Sequence, residues 1–287
     1  MAGTMVQRVL FALVAIPLAL TLVWLGGAAL TGLVMLAGVL GTRELLQLGR
    51  QRGIHADRTL AWLGAAALPL AAWRTAVDPS FGFPAFAPYL LALWLVLVLT
   101  VTLIRVRPDK HPLGAAGLTL LAPLYAGGLP AFLLVLRHGA GHPERSWAGL
   151  VLVLFPLALT WLCDSAAMEI GRRVGGPRLA PVLSPGKTWS GTIGGFLAAA
   201  AAGPLFATFV ARPAGIEVSP WQALALGAVV GVMGQVGDLA ESLFKREAGM
   251  KDSSHLLPGH GGVLDRLDSL YFVLPLTAVL YEAFGIL

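Results

Sequence analysis

SLFKREAGMKDSSHLLPGHGGVLDRLD, residues 242–268, sets Lys245, Arg246, Lys251 and Arg266 beside Glu247, Asp252, Asp265 and Asp268, around a Pro258-Gly259-His260-Gly261-Gly262 turn. On either side lies an apolar run, Trp221 to Phe244 and Val263 to Phe284, long enough to cross a bilayer as helix. That contrast decides the fold class: the runs read as transmembrane helices and the charged stretch as the loop between them. Bare solubility would be met by any polar linker. Clustered Lys and Arg beside carboxylates and a glycine turn suit a polyanionic ligand with a divalent metal.

The rest of the chain extends the pattern. Of 287 residues 57% are hydrophobic and 12% charged, with a mean hydropathy of +0.78, against roughly 25% charged in soluble domains. The 35 Gly and 19 Pro are embedded in apolar runs, as both residues commonly are in transmembrane helices, so they do not signal disorder. Cys163 is the single cysteine, which excludes an internal disulfide, and no Cys/His spacing resembles a zinc site. A net charge of +5 is read as loops facing anionic lipid and the cytoplasm, not as a nucleic-acid surface.

Nine apolar runs stand out: Val9 to Leu25, Ala28 to Leu48, Thr59 to Trp73, Pro84 to Ile104, Leu113 to Leu136, Trp147 to Met168, Thr188 to Ala211, and the two already named. The first, with Arg8 before it and Ala28-Ala29 after, has the look of a signal-peptide core, but its length and the second run close behind favour a retained span. The sequence thus predicts an all-α, polytopic membrane bundle of about nine helices, one integral membrane domain over residues 1–287. Nine spans put sixteen of the 20 Lys and Arg on one face and leave Arg74, Arg137, Arg145 and Arg212 on the other. The positive-inside rule then places the N-terminus and the 242–268 loop in the cytoplasm and the C-terminus outside. Gly191 with Gly195, and Gly227 with Gly231, read as small-xxx-small packing pairs.

A carboxylate at the centre of a membrane helix costs about 2.5–3.5 kcal/mol on insertion scales. Asp164, Glu169, Asp238 and Glu241 all fall in or at the ends of spans. Asp238, Ser242 and Lys245 recur at i, i+4 and i+7 and share one helix face, while Asp265 and Asp268 share a face of the next helix. Asp238 and Asp265 are the expected metal ligands, and Mg²⁺ the expected ion, since it takes one or two carboxylates plus phosphate oxygens and water.

In type and spacing, Ser242, Lys245-Arg246, Lys251-Asp252, Pro258, His260-Gly261-Gly262, Asp265-Arg266 and Asp268 resemble the signature of the phosphatidate cytidylyltransferases. Roughly a dozen fixed positions in so short a stretch make the match specific, unlike a lone glycine-rich loop. An earlier segment resembles the family's second conserved region. It has Asp164 followed by small residues, then Gly171-Arg172-Arg173, Gly175-Gly176 and Ser184-Pro185-Gly186-Lys187-Thr188-Trp189. Gly186 and Ser190 depart from the usual Lys and Glu, and Met168 stands where an aromatic is common. Gly186-Lys187-Thr188 is not a P-loop, because Pro181 stands at its first glycine and no strand is expected ahead of it.

The resemblance implies an integral membrane nucleotidyltransferase, in the cell inner membrane or plasma membrane, that joins CTP and phosphatidate into CDP-diacylglycerol and pyrophosphate. Residues 164–268 would carry the catalytic site. Asp164, Lys187, Lys245, Arg246, Lys251, Asp252, His260, Arg266 and Asp268 carry over as catalytic, and Ser184, Thr188, Ser242, Gly261 and Gly262 as substrate-binding. Membrane lipid is the implied surrounding, and a homodimer is compatible with it. A CTP-dependent lipid kinase, an enzyme for another lipid phosphate and a cation transporter are the competing readings. His55, His111, His138 and His142 read as solvated loop residues, Cys163 as a packed one, and Glu44 as either site support or a helix-end salt bridge.

Overall fold

The computed structural model describes residues 5–81, 83–257, 259 and 261–287. Among these, nine helices follow one another, one on each apolar run. They are α1 Met5–Leu25, α2 Gly27–Gln51, α3 Arg58–Val77, α4 Phe83–Arg105, α5 Pro112–His138, α6 Trp147–Val174, α7 Trp189–Ala214, α8 Pro220–Glu247 and α9 Leu264–Ala283. Among the described residues seven helices, α2 to α8, are long and apolar enough to cross a membrane. Of the other two, α1 is apolar over Ala12–Leu25, and α9 is 20 residues long but carries Asp265, Arg266 and Asp268 in its first two turns. The protein is all-α and multi-pass, as its hydropathy pattern predicts.

The helices pack as two compact units, each drawn from two stretches of chain: residues up to Gly141 with Phe244–Arg266, and His142–Leu243 with Leu267–Leu287. In the first unit, helix ends are tied together by side chains. Arg137 at the end of α5 is wholly buried, and its guanidinium donates to the carbonyls of Val23 at 2.7 Å and Trp24 at 2.9 Å. These carbonyls lie in the last turn of α1, where no intrahelical donor reaches them and a cation meets the negative end of the helix dipole. Next to it, His138 Nε2 accepts from the Gly27 amide at 2.9 Å. The sequence places His138 in solvent; it is buried instead, because its ring caps the first residue of α2. Within α5, residues Leu124–Gly128 widen into a π turn. Pro130 has no N–H to offer the carbonyl of Ala126, so the regular ladder cannot run through this point.

In the second unit the helices meet almost backbone to backbone. A Cβ on Gly195 of α7 would stand 2.7 Å from the Cys163 carbonyl of α6, and one on Gly227 of α8 would run into the Ala199 carbonyl of α7. The two glycine pairs are packing devices, as the sequence suggests. Cys163 itself is buried, with Sγ 3.5 Å from the Gly231 carbonyl. Between α6 and α7 runs a short antiparallel hairpin, β1 Arg178–Ala180 and β2 Ser184–Thr188. A strand therefore does precede Gly186-Lys187-Thr188, contrary to expectation. Yet the tripeptide is itself extended strand, not a loop wrapped around a phosphate, so the P-loop reading still fails. Thr188 ends the strand by capping α7, its hydroxyl accepting from the Gly191 amide at 3.2 Å.

Candidate active site

A cavity of about 680 Å³ lies in the second unit, within the range of small-molecule sites. Asp164 and Arg172 of α6, Arg178, Ser184 and Gly186 to Thr188 of the hairpin, and Gln235 and Asp238 of α8 all line it. Each is delivered by local structure. The register pairs Arg178 with Thr188, which puts a second cation on the hairpin near Lys187. Gln235, Asp238 and Ser242 fall at i, i+3 and i+7, one face of α8.

Lys187 is fixed in the cavity wall. Its Nζ lies 2.7 Å from Asp238 Oδ2 and 3.5 Å from the Gln235 carbonyl, and its side chain is 22% exposed. Asp238 Oδ1 accepts more loosely from the Ser242 hydroxyl, at 3.4 Å. Gln235 is immobilised in turn, donating to the carbonyls of Gly231 at 2.8 Å and Thr192 at 3.2 Å. The side chains of Asp164 and Arg172 make no hydrogen bond or ion pair among the described residues, so both remain open to a ligand. Met168, at the usual aromatic position, is exposed and lines the same cavity. Glu169 does not join it: its carboxylate pairs with Arg173 one turn on, at 2.6 Å.

The first unit builds a different polar cluster from the 242–268 stretch. Lys245 Nζ lies 2.7 Å from Asp265 Oδ1, with side chains only 10% and 6% exposed. Asp265 Oδ2 accepts from the Ser253 amide at 2.9 Å, the Ser253 hydroxyl at 2.8 Å and the Gly262 amide at 2.8 Å. Glu44 of α2, 3% exposed, completes the cluster. Its Oε1 accepts from Ser254 Oγ at 2.6 Å and the Val263 amide at 3.0 Å; its Oε2 accepts from the Leu264 amide at 2.9 Å and lies 3.0 Å from Ser253 Oγ, whose single hydroxyl proton it shares with Asp265. Among the described residues Glu44 thus makes no helix-end salt bridge. It caps the N-terminus of α9 and anchors the loop ahead of it. Gly262 is required by the same contacts, since a Cβ there would meet Ser253 Oγ and the Glu44 carboxylate.

The other expected residues divide by exposure. Lys251, Asp252 and Arg266 are exposed and make no side-chain hydrogen bond or ion pair among the described residues. Arg246 donates to the Met250 carbonyl at 2.9 Å, closing the end of α8. Asp268 Oδ1 accepts from the following amide, Ser269, at 2.6 Å. Gly261 takes a left-handed φ of 82° and pairs with Leu257 across the loop. His260 and Pro258 lie outside the described residues. Arg172, Arg178 and Gln235 are cavity residues that the site assignment from sequence missed; for Gln235, the i+3 spacing to Asp238 was the available signal.

Of the two carboxylates expected to bind metal, Asp238 faces the cavity and Asp265 has both oxygens taken by protein donors. Asp164, with an open carboxylate in the same cavity as Asp238, is open to the same role. Among the described residues no three His, Cys, Asp or Glu gather round one point, and Mg²⁺ needs no more than one or two carboxylates when phosphate oxygens and water fill the rest.

A membrane-spanning unit with three cations and two carboxylates around one cavity has the make-up of an enzyme for phosphate-bearing substrates. The chain belongs to the cytidylyltransferase family, whose sequence model matches residues 6–284. It is similar to the phosphatidate cytidylyltransferase of Brucella suis, 37% identical over 92% of this chain and 88% of that one. It is also similar to those of Synechocystis, 32% identical over 94% of each chain, and Haemophilus influenzae, 41% identical over 56% of this chain and 54% of that one.

Proposed function

We propose that the protein transfers the cytidylyl group of CTP to phosphatidate, giving CDP-diacylglycerol and pyrophosphate. The observation that carries this reading is the cation-rich cavity of Arg172, Arg178 and Lys187, in a chain of the cytidylyltransferase family. A phosphatidate oxygen attacks the α-phosphorus of CTP, that P–O bond forms, the bond to the β-phosphate breaks, and pyrophosphate departs. The nucleophile is already an anion, so no strong general base is required. The barrier is repulsion between two polyanions, and fixed cations lower it by positioning the phosphates and offsetting their charge. Lys187, held by Asp238 and Gln235, needs no reorganisation to do so, while Arg172 has its guanidinium uncommitted. Ser184 and Thr188 add hydroxyls to the same wall. Mg²⁺ on Asp164 and Asp238 would supply further positive charge. Lys245, Arg246, Lys251, Asp252, His260, Gly261, Gly262, Arg266 and Asp268 belong to the proposed machinery through the signature they match.

Purified protein given phosphatidate, Mg²⁺ and CTP labelled at the α-phosphate is expected to place the label in lipid and release unlabelled pyrophosphate. Lipid left unlabelled by that CTP but labelled by CTP carrying the label at the γ-phosphate would instead make the protein a CTP-dependent kinase.

Orientation is part of the proposal, in a bacterial inner or plasma membrane. It rests on the sixteen of the 20 Lys and Arg that nine spans put on one face, which the positive-inside rule makes the cytoplasmic one. A cysteine placed between Arg172 and Lys187 is expected to resist an impermeant thiol reagent in intact cells, and one after Phe284 to react. The reverse pattern would invert the topology.

A further inference from the structure

The first unit contains a second cavity, of about 650 Å³, that the cytidylyl reaction leaves unused. Arg58, Arg105, Arg107 and Lys110 line it, with His55, against the single carboxylate of Asp57. That carboxylate is already committed: Oδ1 accepts from the Leu60 amide at 3.0 Å to cap α3, and Oδ2 pairs with Arg105 at 2.7 Å. Among the described residues Arg107 and Lys110 reach only Asp109, at 3.5 and 3.9 Å, with side chains 83% and 61% exposed. Arg58 makes no hydrogen bond or ion pair among the described residues. Three cations therefore face one cavity with their charge largely unspent, and none of them holds the fold together.

The surroundings indicate what could spend it. Arg105 is the last residue of α4, a helix exposed along nearly its whole length, with Leu103 83% and Ile104 76% exposed just before it and Leu113 87% exposed just after. On a membrane-spanning helix such leucines face acyl chains, so the cations stand where hydrocarbon gives way to headgroups. Basic residues at that level attract anionic lipid. Topology signals alone need no cavity; a recess ringed by donors adds shape to charge.

We propose that this cavity is a second phosphate-binding site, which takes the headgroup phosphate of an anionic phospholipid through Arg58, Arg107 and Lys110. The inference does not depend on the catalytic reading. Protein in neutral detergent is titrated with phosphatidylglycerol, which lacks the phosphate monoester of the proposed acceptor, and bound lipid is counted by native mass spectrometry. The variant Arg58→Gln/Arg107→Gln/Lys110→Gln is expected to weaken retention on the order of 10²-fold, each cation near the surface being worth roughly fivefold. The charge-keeping variant Arg58→Lys/Arg107→Lys/Lys110→Arg and, separately, Lys187→Ala should both retain the lipid. Excess inorganic phosphate should not displace it. Unchanged retention in the Gln variant, or equal loss in the charge-keeping one, would overturn the site. Displacement by inorganic phosphate would make it a site for soluble phosphate and overturn the lipid assignment.

Discussion

Asp238→Asn is expected to lower kcat/KM by at least ~10³-fold, a loss of about 4 kcal/mol of transition-state stabilisation, in protein that still purifies intact. Asparagine keeps the shape and can still accept from Ser242, so packing on α8 survives. What goes is the charge that holds Lys187 Nζ at 2.7 Å and faces the cavity. Without it Lys187 is free to swing, and the proposed Mg²⁺ loses one of its two carboxylates. The two losses separate experimentally. Raising Mg²⁺ should recover part of the activity if metal affinity is what fell, and none if only Lys187 is misplaced. Activity within tenfold of wild type at ordinary Mg²⁺ would remove Asp238 from the chemistry.

The second large effect is expected at Glu44, far from that cavity in sequence. Glu44→Ala deletes the acceptor of three hydrogen bonds and of a shared one from the Ser253 hydroxyl. The amides of Val263 and Leu264 are then left buried without a partner, at about 1–3 kcal/mol each. The loop should loosen at its anchor: amide exchange at Val263 and Leu264 is expected to rise at least tenfold while the middle of α8 stays protected. Turnover should fall more than tenfold because Lys245 and Asp265 sit in the same cluster. Glu44→Gln, which keeps one acceptor oxygen, should lie between. Unaltered exchange at those two amides in Glu44→Ala would show that the cap carries no weight.

How legible were these features in the chain itself? The spans were, because each is an apolar block bounded by Arg, Pro, Gly or a capping residue. Even Thr59 to Trp73, the shortest run, needed only Arg58 before it and extension past Trp73 to become Arg58–Val77, with Asp57 as its cap. The Lys187 and Asp238 pair was half legible: both residues stand out as costly or basic, but only the hairpin and the face of α8 show that they meet. Glu44 was legible as a residue and not as a function, since half of its partners are backbone N–H groups, which every non-proline residue possesses. Asp265 shows the converse. Sequence displays a carboxylate's charge but not the four donors that already surround it. Arg137 looked like a loop cation for the same reason, its partners being carbonyls 114 and 113 residues away.

The long reach of these contacts bears on how the protein is made. The carbonyls of Val23 and Trp24 wait for Arg137, and Glu44 waits for amides 219 and 220 residues further along. At a ribosomal rate of about 5–20 residues per second, the second wait lasts roughly 10–45 s. Throughout that interval the nascent chain holds a carboxylate in α2 whose donors have not yet been translated. The first unit therefore cannot mature as it emerges, and a chain stalled before Leu264 leaves it open however many helices have already entered the membrane.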